Sequence, residues 1–170
     1  MEGEGAVVTL ARTAATLLTR PRLGMAHCQV TEHAAQPGAG AWGEGRMGYV
    51  DVRDVARVVV TVLRGGDAHD GRTYELTGPE ALSASDVAHK LSAATGREVR
   101  YVDVPADGVR RAMLTRGISP WLVEAMVEVM EHTRNNAAAR VTETVTGLTG
   151  HPARSYDDFA REFASRFAPA

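Results

Sequence analysis

The stretch Tyr49-Val-Asp-Val-Arg-Asp-Val-Ala-Arg57 decides the fold, because its pattern changes from strand to helix within a few residues. Tyr49 to Val52 are β-branched or aromatic at most positions and read as a short strand. Asp54 is a good N-cap for the helix expected next, in which Val55, Val58, Val59, Val62 and Leu63 follow helical spacing. Gly65-Gly66 ends that helix. Asp51 and Asp54 flank the corner. A functional reading would make one of them a general base or a ribose contact. The residue pattern favours a structural one, with Asp54 capping and Asp51 fixing the turn through backbone bonds.

Downstream the same alternation repeats. Asp70-Gly71 predicts a turn, and Arg72 to Thr77 alternate as a strand that leaves through Gly78-Pro79. Ser83 or Ser85 caps a helix carrying Val87, Ala88, Leu91 and Ala94, which stops at Gly96. Val99 to Val104 read as a strand closed by Pro105, and a helix with Val109, Ala112 and Met113 runs to Gly117. Ser119-Pro120 opens another helix, whose Glu124, Glu128 and Glu131 form a narrow polar stripe. Helix 119–133 is therefore expected to be buried over most of its circumference. Ser155-Tyr-Asp-Asp158 caps a last helix with Phe159, Phe163 and Phe167 at intervals of four.

Upstream the signals are weaker, and the chain divides at about residue 46. Residues 6–23 predict a helix with Leu10, Ala14, Leu17 and Leu18 near one face, ended by Pro21. Residues 24–45 hold Gln36-Pro-Gly-Ala-Gly-Ala-Trp-Gly-Glu-Gly45, a loop composition.

Composition bounds the function. At 170 residues, 44% hydrophobic and 24% charged, the chain is long and apolar enough for a globular core. A net charge of −2 with scattered arginines and a single lysine, Lys90, gives no electrostatic case for nucleic acid or an anionic membrane. One cysteine, Cys28, excludes an internal disulfide framework and fits a reducing cytoplasm. The acidic start, Met-Glu-Gly-Glu-Gly, is unlike a basic signal-peptide start, and the longest apolar runs are too short to span a bilayer. A soluble cytoplasmic protein is the expectation.

The chemistry-bearing motifs mostly fail their context tests. Gly38-Ala-Gly-Ala-Trp-Gly43 matches G-x-G-x-x-G, but that pattern holds a pyrophosphate only between a strand and a helix. A Pro-containing loop precedes it here and a strand follows, so a glycine-rich surface loop is expected. No tyrosine has a lysine four residues later, the acid–base spacing of ordinary short-chain dehydrogenases. The six histidines show no metal spacing, and no G-x-S-x-G elbow is present. Trp121, Met113, Met126 and Met130 would either pack in the core or line an apolar pocket for an aromatic ligand.

Five pieces in order resemble the carboxyl-terminal half of the NmrA-like proteins, an atypical branch of the short-chain dehydrogenase/reductases. They are Gly45-Arg-Met-Gly-Tyr-Val-Asp-Val-Arg-Asp-Val-Ala56, Asp70-Gly-Arg-Thr-Tyr-Glu-Leu-Thr-Gly-Pro79, Ala94-Thr-Gly-Arg-Glu-Val-Arg-Tyr-Val-Asp-Val-Pro105, Gly117-Ile-Ser-Pro-Trp-Leu-Val-Glu124 and Gly147-Leu-Thr-Gly-His-Pro-Ala-Arg-Ser-Tyr-Asp-Asp-Phe159. The resemblance implies an α/β fold: the last strands and helices of a doubly wound, Rossmann-like sheet plus the small carboxyl-terminal substrate part. For the family it implies NAD(P) as cofactor and NAD(P)H-dependent reduction of small-molecule quinone- or azo-type substrates. Trp121, Met126 and Met130 would then be pocket-lining residues. The family's first strand and Gly-x-x-Gly-x-x-Gly turn have no counterpart, and residues 1–45 match poorly. A truncated chain, not catalytic alone and with no catalytic or cofactor-binding residue of its own, is one expectation. The alternative is a non-catalytic redox-sensing regulatory or interaction module of the same ancestry. In that case a second copy or a partner would cover the apolar face of helix 119–133.

Overall fold

In the computed structural model residues 39–167 are described; the expected helix over 6–23 and the start of the glycine-rich motif lie outside them. Ala39–Gly40 (β1) pairs in parallel with Val102–Asp103 (β4), and Arg46–Gly48 (β2) pairs antiparallel with Ala81–Ser83 (β3). Six α-helices complete the described part: α1 Val52–Gly65, α2 Ala84–Thr95, α3 Ala106–Thr115, α4 Pro120–Arg134, α5 Thr144–Thr149 and α6 Tyr156–Phe163. The result is an α/β fold whose helices associate in pairs: α1 with α5, α2 with α6, and α3 with α4.

Local chemistry sets most helix ends. Ser83 caps α2 in a capping box: its hydroxyl accepts from the Asp86 N–H while the Asp86 carboxylate accepts from the Ser83 N–H. Ser155 and Asp158 repeat the device on α6. Gly96 closes α2 and Gly150 closes α5 in the left-handed conformation, at φ of 67° and 69°. The phenylalanine ladder forms as the spacing predicts. Phe159 stacks on Phe163 at 5.0 Å and reaches Phe167, on a final 3₁₀ turn, at 6.3 Å.

Two apolar clusters follow from the pairing. Leu82, Val87, Leu91, Tyr156 and Ala160 fill the space between α2 and α6. Ala41, Val109, Met113, Val123, Val127 and Met130 fill that between α3 and α4. Two glycines are required by close approach. A Cβ on Gly78 would lie 1.9 Å from the Tyr49 carbonyl oxygen, and one on Gly45 would lie 2.0 Å from that of Thr133.

Several expectations need correction. Tyr49 to Val52 is not a strand: the ladder lies earlier, at Arg46–Gly48, and the helix starts at Val52. Arg72 to Thr77 belongs to no ladder among the described residues. Thr142 holds it instead, its amide donating to Thr77 Oγ1 and its hydroxyl to the Glu75 carbonyl. Of Val99 to Val104, only Val102–Asp103 is paired among the described residues. Ser119 stands at the N-cap of α4 but makes no side-chain cap bond. Nor is α4 buried over most of its circumference: no described element covers its far side, where Trp121 and Val129 are 73% and 54% exposed.

Leu91 is fully buried at the centre of the α2–α6 cluster. Leu91→Ala should therefore cost about 2–5 kcal/mol in urea unfolding. A cost under about 1 kcal/mol would mean that α2 and α6 do not share a packed core.

Candidate functional site

Two carboxylates at the start of α1 are almost completely buried: Asp51 and Asp54 are each 1% exposed. Burying a charge is costly unless it is paired and hydrogen-bonded, and both are. Asp51 is the N-cap, accepting from the Arg53 N–H at 2.8 Å, with Arg53 Nη2 at 3.2 Å and Arg154 Nη1 at 3.4 Å. Asp54 accepts from the Arg154 N–H at 2.8 Å and from Arg57 Nη1 at 2.6 Å. The assignment of Asp54 as cap is thus corrected to Asp51. Asp54, one turn on, faces across to the segment before α6, where the Arg154 amide needs an acceptor. Glu162 joins the two sides. It bonds both Arg53 and Arg154, whose guanidinium groups hold its carboxyl down at about 2. Every one of these groups is spent on a partner, so the corner is a clamp between α1 and α6. The structural reading of the pair holds, and neither carboxylate is open as a base.

A second cluster surrounds the glycine-rich segment. It is less of a surface loop than its composition predicts: Ala41 is 2% exposed and Trp42 packs against the α3–α4 core. Its backbone donors are already taken. The Trp42 N–H donates to Tyr101 Oη at 2.9 Å, and the Gly43 N–H donates to Asp103 Oδ1 at 3.0 Å. Arg134, in the last turn of α4, bonds both oxygens of Asp103 and the Ala41 carbonyl. Tyr101 Oη also lies 2.9 Å from the Gly40 carbonyl and 2.9 Å from Asp103 Oδ1.

The electrostatics follow from these contacts. The Arg134 guanidinium holds the Asp103 carboxyl down at about 2, with the Gly43 N–H and Tyr101 hydroxyl adding to the effect. Burial and the Asp103 carboxylate push the Tyr101 phenol up to about 12. A phenol held this tightly is a poor proton donor at neutral pH. The cluster joins residues about sixty positions apart and leaves one signal in the sequence. Tyr101 and Asp103 are two apart in an extended segment and so share a face.

Trp121, Met126 and Met130 do not line one pocket. Met130 is 3% exposed inside the α3–α4 core, Met126 is partly buried against it, and Trp121 points outward. Nine positions along a helix place Trp121 and Met130 about 180° apart. An open groove of about 840 Å³ lies elsewhere, between α2 and the segment leading to β4, and Ser85, His89, Arg97 and Tyr101 are on its wall. Among the described residues no three His, Cys, Asp or Glu side chains converge on a metal site, and no helix is long and apolar enough to cross a membrane.

Fold and site together define an α/β arrangement whose two polar clusters are bonded within the chain. No family model matches the chain. NAD(P)H azoreductase of Xenophilus azovorans is 40% identical over 128 residues, which are 75% of this chain and 44% of that protein. A (4-alkanoyl-5-oxo-2,5-dihydrofuran-3-yl)methyl phosphate reductase of Streptomyces griseus is 39% identical over 128 residues, 75% of this chain and 45% of that protein. In fold, the NADPH-dependent quinone oxidoreductase of Escherichia coli, solved with NADPH, matches with a TM-score of 0.64 at 20% identity, covering 74% of this chain and 44% of that one. Triphenylmethane reductase of Citrobacter sp. matches with a TM-score of 0.64 at 17% identity, over 75% of this chain and 44% of that one. The chain carries the carboxyl-terminal half of the NmrA-like, atypical short-chain dehydrogenase/reductase fold, and its relatives are NAD(P)H azoreductase- and quinone oxidoreductase-like. It spans less than half the length of these relatives.

The family's cofactor is NAD(P), and the described residues do not fit its pyrophosphate. Such a group needs free N–H donors at a glycine turn between strand and helix. Here the Asp51 carboxylate accepts from a first-turn N–H of α1, the Ser83 and Ser155 hydroxyls do so on α2 and α6, and the Asp86 and Asp158 carboxylates take the N–H groups of those two serines. The junction from β4 to α3 contains Pro105 and no glycine turn, and the Gly108 N–H is bonded to the Pro105 carbonyl. The donors at Trp42 and Gly43 face Tyr101 and Asp103, and Asp103 would repel a phosphate.

The Asp103 cluster has a pH signature. A carboxyl with its folded pKa below the ordinary 3.8 contributes stability above that value, and the contribution is lost as pH falls toward about 2. The urea midpoint should fall over this window, and Asp103→Asn should make that fall shallower. An identical acid limb in the variant would show that the cluster is not formed in solution.

Proposed function

We propose that this chain is the carboxyl-terminal, substrate-side part of a cytoplasmic NAD(P)H-dependent reductase acting on quinone- or azo-type small molecules, and that it does not catalyse alone. The observation that carries the reading is the 40% identity to an azoreductase over 128 residues, and the bonding of the glycine-segment donors within the chain supports it. In the complete enzyme, bound NAD(P)H supplies the hydride. The residues described here close the substrate side and exclude water. Of the three apolar candidates on α4, Met126 suits the substrate side best, because it lies at the edge between the packed core and the outward face.

The test is a chimera. The part of the Xenophilus azovorans azoreductase upstream of its matched region is joined to residues 44–167 of this chain. The chimera should bleach an azo substrate with NADPH, whereas neither part should do so alone. A folded chimera that binds NADPH but reduces neither azo nor quinone substrates would overturn the proposal.

One observation favours a second reading, a non-catalytic redox-sensing regulatory or interaction module of the same ancestry. Apolar side chains face outward on two helices, with Leu63 of α1 74% exposed and Trp121 of α4 73% exposed. A partner protein or a second copy covering these faces would serve such a module. Under this reading the purified chain sediments as an oligomer, or binds its partner, while the chimera stays inactive.

A further inference from the structure

The groove of about 840 Å³ between α2 and residues 97–101 has its shape fixed by local bonds. Gly96 turns the chain back at a φ of 67°. Ser92 Oγ then accepts from the Val99 N–H at 2.8 Å and donates to the Ala88 carbonyl at 2.8 Å, which holds the returning segment against the helix. Ser85, His89 and Ala93 recur at intervals of four and form one wall. Ala88, almost fully buried, and Val99, half-buried, add apolar lining. The volume lies in the range of small-molecule sites.

The charges on the walls do not cancel. Glu98 is occupied by Arg100, whose Nε lies 2.7 Å from Oε1. Among the described residues Arg97 has no carboxylate partner and His89 has no hydrogen-bond partner. Tyr101 leaves only its ring to a ligand, because its hydroxyl is bonded to the Gly40 carbonyl and to Asp103. The groove thus offers one unmatched guanidinium, two aromatic rings and an apolar lining. A guanidinium takes a carboxylate through two parallel hydrogen bonds, and aromatic rings favour a flat apolar partner. A phosphate monoester carries nearly two charges and would call for a second free cation.

We propose that this groove binds a small aromatic carboxylate, with the carboxylate on Arg97 and the ring system against His89 and Tyr101. No residue of α4 lines the groove, so this ligand is separate from the substrate placed beside Met126. The site uses no coenzyme, and the proposal stands whether or not the reductase reading does.

The test is a titration of 2-naphthoate into the 170-residue chain, followed by the ligand's fluorescence. Binding should saturate, and Arg97→Ala and Ala93→Phe should each weaken it at least about tenfold, the loss expected for a charged hydrogen bond or a blocked wall. Both positions are exposed, so the urea midpoints of the variants should match that of the unsubstituted chain. On the unsubstituted chain 2-naphthamide, of the same shape but uncharged, should bind at least about tenfold more weakly. Inorganic phosphate should not displace 2-naphthoate. Absence of saturable binding would overturn the proposal, as would binding that survives both substitutions. Equal affinity for the amide would also overturn it, since the charge is then not read. Displacement by phosphate would overturn it in favour of a general anion site.

Discussion

A single carboxylate, Asp103, is the constraint on which the candidate site depends. It sits at the end of β4, accepts from the Gly43 N–H, and is gripped by both nitrogens of the Arg134 guanidinium. Those bonds tie β1, β4 and the end of α4 together at one point, and the α3–α4 core lies just beneath. They also settle the character of the glycine segment. A loop that turns one amide toward a phenol and the next toward a carboxylate stabilises the fold, and those two donors are not free to cradle an anionic ligand. Charge complementarity inside the chain holds the segment in place.

The Asp51–Asp54 corner makes the same point at the other end of the described chain. Its two buried carboxylates would be liabilities without Arg53, Arg57 and the Arg154 amide. With them, α1 and α6 become a unit, and Tyr156 and Phe159 can pack under Tyr49. Acidic groups near a strand-to-helix corner invite a catalytic reading, but here they complete a scaffold. The chain spans less than half of the length of each of these relatives.

The sequence was most legible where a few neighbouring residues determine the outcome. Ser83 with Asp86, Ser155 with Asp158, and the αL glycine at Gly96 are local devices, and each lies where the pattern placed it. It was least legible where distant residues choose between local options. Both Asp51 and Asp54 can cap a helix, and Arg154, a hundred positions away from Asp54, assigns them. Arg72 to Thr77 has strand composition, yet a strand exists only beside a partner, and Thr142 offers side-chain bonds instead of a ladder. Trp121 and Met130 look alike in apolar character, but their places on α4 send one to solvent and the other to the core.

The most direct measurement is a titration of NADPH into the purified 170-residue chain, followed by calorimetry and nicotinamide fluorescence. With the amides of Trp42 and Gly43 committed to Tyr101 and Asp103, no saturable binding should be seen. Saturable micromolar binding, with the coenzyme's phosphates held by these residues, would contradict the account.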